Sequence, residues 1–223
     1  MNPAQTPRSI PRFALTGGIG SGKSFVRQAL EARGAFTLDA DALSRTVLGP
    51  GAPALAHVAA RFGSSILDAY GCLDRKALAR LVFSQPDARR ALEALVHPRV
   101  RKLAALRFAQ AKAFAIPYLV YEIPLLFEAE HMQPWDGIIT TYCAFSERLR
   151  RLLQRDASDE ASIRARMRAQ APELLKVQRS DWVIDTNTSA AQLTQQLDEM
   201  HALLCRQRPK RSGRAEQIRQ LER

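Results

Sequence analysis

Gly17-Gly18-Ile19-Gly20-Ser21-Gly22-Lys23-Ser24 decides how this chain is read. It fits Gly-x-x-x-x-Gly-Lys-Ser/Thr and lies between an apolar run, Arg12–Thr16, and an amphipathic one, Lys23–Arg33. Glycines permit backbone angles that turn successive N–H groups into one concavity. A helix beginning near Lys23 points its positive dipole end at the same place. Such a cradle holds phosphates. Lys23 would reach the β- and γ-phosphates of a nucleotide, and the Ser24 hydroxyl would ligate Mg²⁺. An incidental glycine-rich turn is the alternative, and the strand-then-helix setting argues against it.

Outward from this loop, short apolar runs alternate with longer helical patterns, as in βαβ units around a parallel sheet. Strands are expected at Arg12–Thr16, Ala35–Asp39, Tyr118–Ile123, Gly137–Tyr142 and Trp182–Asp185. Their near-continuous apolar character suits strands covered on both faces. Helices are expected at Lys23–Arg33, Ala40–Leu48, Ala52–Phe62, Arg75–Phe83, Pro86–His97, His97–Ala113, Glu147–Gln154, Ala161–Gln178 and Ala190–Cys205. The fold class is therefore α/β, a five-stranded parallel sheet flanked by helices. The excursion at residues 43–112 is too long for a simple crossover and reads as a helical subdomain. Residues 1–11 read as a flexible N-terminal extension, 12–205 as the folded domain and 206–223 as a basic flexible tail.

The formal charge is +11. The tail from Arg206 carries seven Lys/Arg against two Asp/Glu, and Arg8 and Arg12 add two more positive charges, leaving +4 for the body. Most of the excess thus lies outside the expected fold. A polyanionic partner is one reading, and a solvated tail beside a site for phosphorylated ligands is the plainer one. Aromatic residues are 7% of the chain and the tail has none for base stacking, which argues against a nucleic-acid partner. Cys72, Cys143 and Cys205 are odd in number and form no Cys-x-x-Cys pair, so neither a disulfide framework nor a zinc site is expected. A reducing, cytoplasmic setting fits. The first residues lack a signal-peptide pattern, and no run of about 18 apolar residues suggests a membrane span.

A phosphate loop does not by itself separate kinases from ATPases or GTPases. The second strand ends in Leu38-Asp39-Ala40-Asp41, at the carboxyl edge where parallel strands carry ligands. One carboxylate would accept or orient the proton of an acceptor hydroxyl, a role given mainly to Asp41. Helix capping is the competing role for either Asp39 or Asp41. Glu122 lies inside the apolar run 118–126, where a carboxylate needs a partner. It either orders a Mg²⁺-bound water or pairs with an arginine. Arg148, Arg151 and Arg155 repeat at helical spacing within 146–180, a segment read as a closing lid over the transferring phosphoryl group. A solvated basic helix is the alternative. His97 precedes Pro98 at an expected helix break, and either contacts an acceptor's phosphate or makes a structural hydrogen bond there.

Several of these residues fall in one ordered set. Leu15–Ser24, Asp39-Ala40-Asp41, Gly49–Leu55, His97-Pro98, Pro124-Leu125-Leu126-Phe127-Glu128 and Gln154-Arg155-Asp156 together resemble the bacterial dephospho-coenzyme A kinases, in register from about Arg12 to Leu204. The resemblance implies ATP-dependent phosphorylation of the ribose 3′-hydroxyl of dephospho-coenzyme A, giving coenzyme A and ADP. It also implies a nucleotide-kinase-like core, a helical acceptor subdomain and a lid. Asp41 then matches the family's base, Arg155 a lid arginine near the phosphates, and Arg151 a position near the adenine. Gly18, Ile19, Gly20, Ser21, Gly22, Lys23, Ser24 and Phe25 match the nucleotide loop. Asp41, His97, Pro124, Leu125 and Glu128 fall where the acceptor is expected. Phe25 stands where the family commonly has Thr, and a backbone N–H serves the α-phosphate regardless. Thr186 and Thr188 stand where relatives often have Asn and Gly, which bears on adenine contacts. Two rival readings are another P-loop small-molecule or nucleotide kinase, and a P-loop ATPase that binds nucleic acid through its tail. The oligomeric state is not legible.

Overall fold

The structure, a computed structural model, describes residues 10–128, 134–156 and 159–206, with backbone alone at 83 and 84. Almost all of the N-terminal extension and of the basic tail falls outside the described residues. The described residues divide into two compact units, one of those up to 37 and from 114 onward, the other of residues 38–113.

Five strands form one sheet: β1 (Arg12–Gly17), β2 (Phe36–Asp39), β3 (Leu119–Glu122), β4 (Gly137–Tyr142) and β5 (Trp182–Asp185), in the order β2-β3-β1-β4-β5. β1 pairs in parallel with β3 (Leu15 opposite Glu122) and with β4 (Gly17 opposite Thr141), and β4 pairs in parallel with β5. β1 is central, and Phe13–Leu15 are essentially inaccessible to solvent. That explains its unbroken apolar sequence, because a strand covered on both faces has no polar side to alternate with.

On one face of the sheet, Phe13, Leu15, Tyr118, Val120, Ile139, Trp182 and Ile184 meet Val26 and Leu30 of α1 (Lys23–Ala32) and Leu197, Met200 and Leu204 of α9 (Ala190–Cys205). Phe13 sits edge-on to Tyr118 and Trp182, with ring centroids 5.8 and 5.7 Å apart. Ala14 and Ile138 pack with Leu126, Ile123, Phe127 and Trp135 in a separate cluster. A third cluster joins Leu149 and Leu152 of α6 (Phe145–Arg155) to Ile163 and Met167 of α7 (Glu160–Arg168), with Ile19 of the phosphate loop packed against it. Fully burying a side chain such as Leu152 or Ile163 contributes about 1.5–3 kcal/mol, so the α6–α7 pair is fastened to the loop by apolar contact.

The unit of residues 38–113 contains α2 (Ala40–Val47), α3 (Pro53–Phe62), α4 (Arg75–Ser84) and α5 (Pro86–Ala111). Its long helix differs from the sequence expectation. A break was expected at His97-Pro98, but α5 runs unbroken for 26 residues with Pro98 inside it. Proline removes one backbone hydrogen bond and disfavours the helix. Val96, Val100 and Ala104 of α5 are buried, and α5 packs along α2, α3 and α4, which compensates. The second difference lies at 161–178, expected as one helix and found as two, α7 and α8 (Glu173–Arg179), separated before Pro172. The residue preceding a proline is pushed out of the helical region.

Candidate active site

The phosphate loop turns from the end of β1 into α1. Gly22 occupies the N-cap of α1 in the left-handed region, at φ 84° and ψ 18°, a conformation that a residue with a Cβ adopts only under strain. The loop is held from three sides. Ser21 Oγ meets Thr141 Oγ1 of β4 at 2.6 Å, and Thr141 in turn donates to the Thr16 carbonyl at 3.3 Å. The Thr186 hydroxyl, just past β5, donates to the Ser21 carbonyl at 2.8 Å. From α6, Arg151 donates to the Thr186 carbonyl at 2.7 Å and to its hydroxyl at 3.2 Å. Glu147 accepts from the other side of Arg151 at 2.9 Å.

Lys23 is almost completely buried, and its ammonium donates to the Gly17 and Gly18 carbonyls, each at 2.9 Å. The cation is therefore positioned inside the loop by the loop's own backbone. Ser24 donates to Glu122 Oε1 at 3.1 Å, and Arg27 donates to Glu122 Oε2 at 2.9 Å. Glu122 thus has the arginine partner that its apolar surroundings demand, and still lies beside the Ser24 hydroxyl. Phe25 is more than half exposed, so its side chain has no packing role at the head of α1.

In the other unit, Asp39 is the N-cap of α2, with Oδ1 accepting from the Asp41 and Ala42 N–H groups at 2.8 and 3.1 Å. Asp41 lies exposed on the first turn. His97 is half-buried within α5.

The arginines of α6 divide by environment. Arg148 is buried and pairs with Glu173 at 3.0 Å. Arg151 makes the Thr186 contacts, and Arg155 is largely exposed and pairs with Asp156 at 2.7 Å. Arg155 and Arg166 hold the Asp156 carboxyl down at about 2, and Arg150 and Arg151 do the same for Glu147. Of the expected acceptor segment, Pro124 gives its carbonyl to Thr16 Oγ1 at 3.5 Å, and Leu125 is 40% exposed. Glu128 turns inward, accepting from the Ala171 N–H at 2.8 Å and lying 3.1 Å from the fully buried ammonium of Lys176.

Four contributors at the loop were not singled out by sequence reasoning: Thr141, Gln170, Glu173 and Arg27. Gln170 Oε1 accepts from the Ile19 N–H at 2.7 Å across 151 residues of chain. Such pairings leave no local periodicity. A glutamate three residues before Lys176 and next to Pro172 was the one available hint, and it reads equally well as ordinary helix capping.

A parallel sheet whose central strand runs into a lysine-bearing phosphate loop, with the next helix starting at that lysine, defines an α/β protein of the P-loop nucleotide-binding class. The dephospho-CoA kinase family model matches residues 12–192, and the chain belongs to that family. It is 42% identical over 201 residues to a dephospho-CoA kinase of Syntrophotalea carbinolica, covering 90% of this chain and 94% of that one. It is 39% identical over 190 residues to that of Geobacter sulfurreducens, covering 85% and 96%. Among solved structures it resembles a Thermus thermophilus protein at TM-score 0.77 and 35% identity, covering 89% of this chain and 98% of that one. It also resembles the dephospho-CoA kinase from Campylobacter jejuni at TM-score 0.61 and 25% identity, covering 87% and 97%. Among the described residues no helix is long and apolar enough to cross a membrane.

Proposed function

We propose that this chain transfers the γ-phosphoryl group of ATP to the ribose 3′-hydroxyl of dephospho-coenzyme A, giving coenzyme A and ADP, in the cytoplasm. The observation that carries the reading is the preset Lys23 ammonium inside the loop, in a chain of this family. A cation fixed before substrate arrives needs no reorganisation when charge develops on the phosphoryl oxygens, and such donors are worth about 10²–10³ in rate. The loop N–H groups from Gly18 to Phe25 and the dipole of α1 hold the nucleotide phosphates. Asp41 accepts or orients the acceptor's proton. Arg155 neutralises the phosphoryl group and Arg151 braces the nucleotide side. Pro124, Leu125, Glu128 and His97 contribute to acceptor binding.

Mg²⁺ fits the residues present. Ser24 and Glu122 supply a hydroxyl and a carboxylate oxygen side by side, and among the described residues no cluster of three His, Cys, Asp or Glu offers an all-protein cage. Mg²⁺ takes oxygen ligands, keeps several waters and is commonly completed by substrate phosphates. Ser24 would ligate it directly and Glu122 through water, and the ion would offset charge on the β- and γ-oxygens.

An acceptor screen that follows ADP release tests the proposal. Turnover with dephospho-coenzyme A well above that with nucleosides, nucleotides or DNA is expected. Preference for a nucleoside monophosphate would make the chain a different small-molecule kinase. Stimulation by DNA without a phosphorylated acceptor would make it an ATPase.

A further inference from the structure

The segment joining α7 to α8 and the first residue of α8 lay two side-chain oxygens on the phosphate loop. Gln170 Oε1 accepts the Ile19 N–H at 2.7 Å. Glu173 reaches the neighbouring residue: a methyl group built on Gly18 would collide with the Glu173 carboxylate and with the Arg148 guanidinium paired to it. The pair is 3.0 Å apart, and Arg148 is only 5% exposed. A Cβ at this position would push the pair aside, so the glycine is what lets two oppositely charged groups lie against the loop backbone.

The pair is incompletely satisfied. Among the described residues, neither Arg148 Nε nor Glu173 Oε2 has a hydrogen-bond partner, although both atoms are buried. A buried guanidinium N–H without an acceptor leaves a substantial desolvation cost uncompensated. Next to a phosphate loop, the group that would satisfy it is an anionic oxygen. Glu173 has the reverse problem. Burial pushes its carboxyl above the ordinary glutamate range, although Arg148, Lys176, Lys23 and the Gly18 N–H all favour the charged form.

We infer that Glu173 is a built-in competitor for the phosphate loop, a carboxylate occupying phosphate ground that the nucleotide must displace, and that its displacement frees Arg148 to meet the incoming phosphate oxygens. This rests on the loop being the nucleotide site. Two anions within a few ångströms in a poorly solvated pocket repel strongly, so the carboxylate and a polyphosphate exclude one another. The paired arginine then exchanges one oxyanion for another and is never left buried without a counter-charge, the outcome that costs most. Glu173 thereby sets nucleotide affinity, and it holds Arg148 at the loop in the meantime.

The test is Glu173→Gln, which keeps the length and the acceptor oxygen for Arg148 but removes the charge. Binding of ATP and of inorganic tripolyphosphate is measured by calorimetry, with KM for dephospho-coenzyme A alongside. Both polyphosphates are expected to bind about tenfold tighter to the variant, ~1.4 kcal/mol, with the dephospho-coenzyme A KM unchanged. A damaged fold loses affinity, so a gain is diagnostic. Equal or weaker polyphosphate binding by a folded variant would overturn the inference and leave the pair a structural brace. Failure of the unaltered chain to bind either polyphosphate would instead remove the nucleotide site itself. Should the variant not fold, the Arg148 Nε–H resonance of the unaltered chain decides, assigned by Arg148→Lys. It shifts on adding tripolyphosphate if the arginine changes partner, and an unmoved resonance contradicts the exchange.

Discussion

Asp39 Oδ1 accepts the backbone N–H of Asp41 at 2.8 Å, so within one Asp-Ala-Asp triplet the first carboxylate caps α2 and the second stands on the first turn of that helix. The two roles make opposite predictions. Asp39→Ala should destabilise the fold by about 1 kcal/mol through loss of the cap, and Asp39→Asn should leave stability unchanged. Asp41→Asn should keep the melt and the nucleotide affinity but lower kcat by about 10²–10⁴ at saturating acceptor. A kcat within about threefold of the unaltered enzyme would remove Asp41 as the base.

The Lys23 ammonium donates to two loop carbonyls rather than to a group in the apolar core. Lys23→Ala should therefore fold and still turn over at least about 10²-fold more slowly. Circular dichroism and steady-state rates on the same preparation check this. Near-normal turnover would detach the loop from catalysis.

Thr186 links the phosphate loop, the end of β4 and α6, since its hydroxyl lies within donating reach of the Ser21 and Tyr142 carbonyls while Arg151 donates to its backbone carbonyl. Thr186→Val keeps the shape but leaves buried acceptors unsatisfied, at a cost of about 1–3 kcal/mol. The melt should fall, and the ATP KM should rise because Ser21 loses its anchor. A lower melt with an unchanged ATP KM would limit Thr186 to stability.

Acid should loosen α6 and α7 first. Glu147 and Asp156 are both held at about 2, against ordinary values of 4.5 and 3.8. Carboxylates depressed in the folded state stabilise it above their unfolded pKa, and that contribution is lost as pH falls through the window from about 4.5 to about 2. Glu147→Gln should melt below the unaltered chain at pH 6 and converge with it as the pH approaches 2. Parallel curves across that window would contradict the assignment.

The sheet is legible because four of its five strands, β2 excepted, are buried on both faces along most of their length. Gly137–Tyr142 and Trp182–Asp185 form where their apolar runs stand, and the loop announces itself by glycine spacing. What was not legible depends on distance through space. Pro98 reads as a helix stop, and only the packing of Val96, Val100 and Ala104 lets α5 pass through it. Arg148, Arg151 and Arg155 share one helical periodicity, yet tertiary partners give them three environments: a buried ion pair, a backbone clamp on Thr186 and an exposed contact with Asp156. Gln170 and Glu173 reach the loop from a segment whose local sequence signals only a helix boundary.

The most direct test of phosphoryl transfer to dephospho-coenzyme A is the identity of the product. The chain is incubated with ATP, Mg²⁺ and dephospho-coenzyme A, ADP is quantified, and the acceptor is recovered for mass and phosphorus NMR. One coenzyme A should form for each ADP, with the new phosphate on the ribose 3′-oxygen. ADP released without a phosphorylated acceptor, or a phosphate attached anywhere else, would contradict the account.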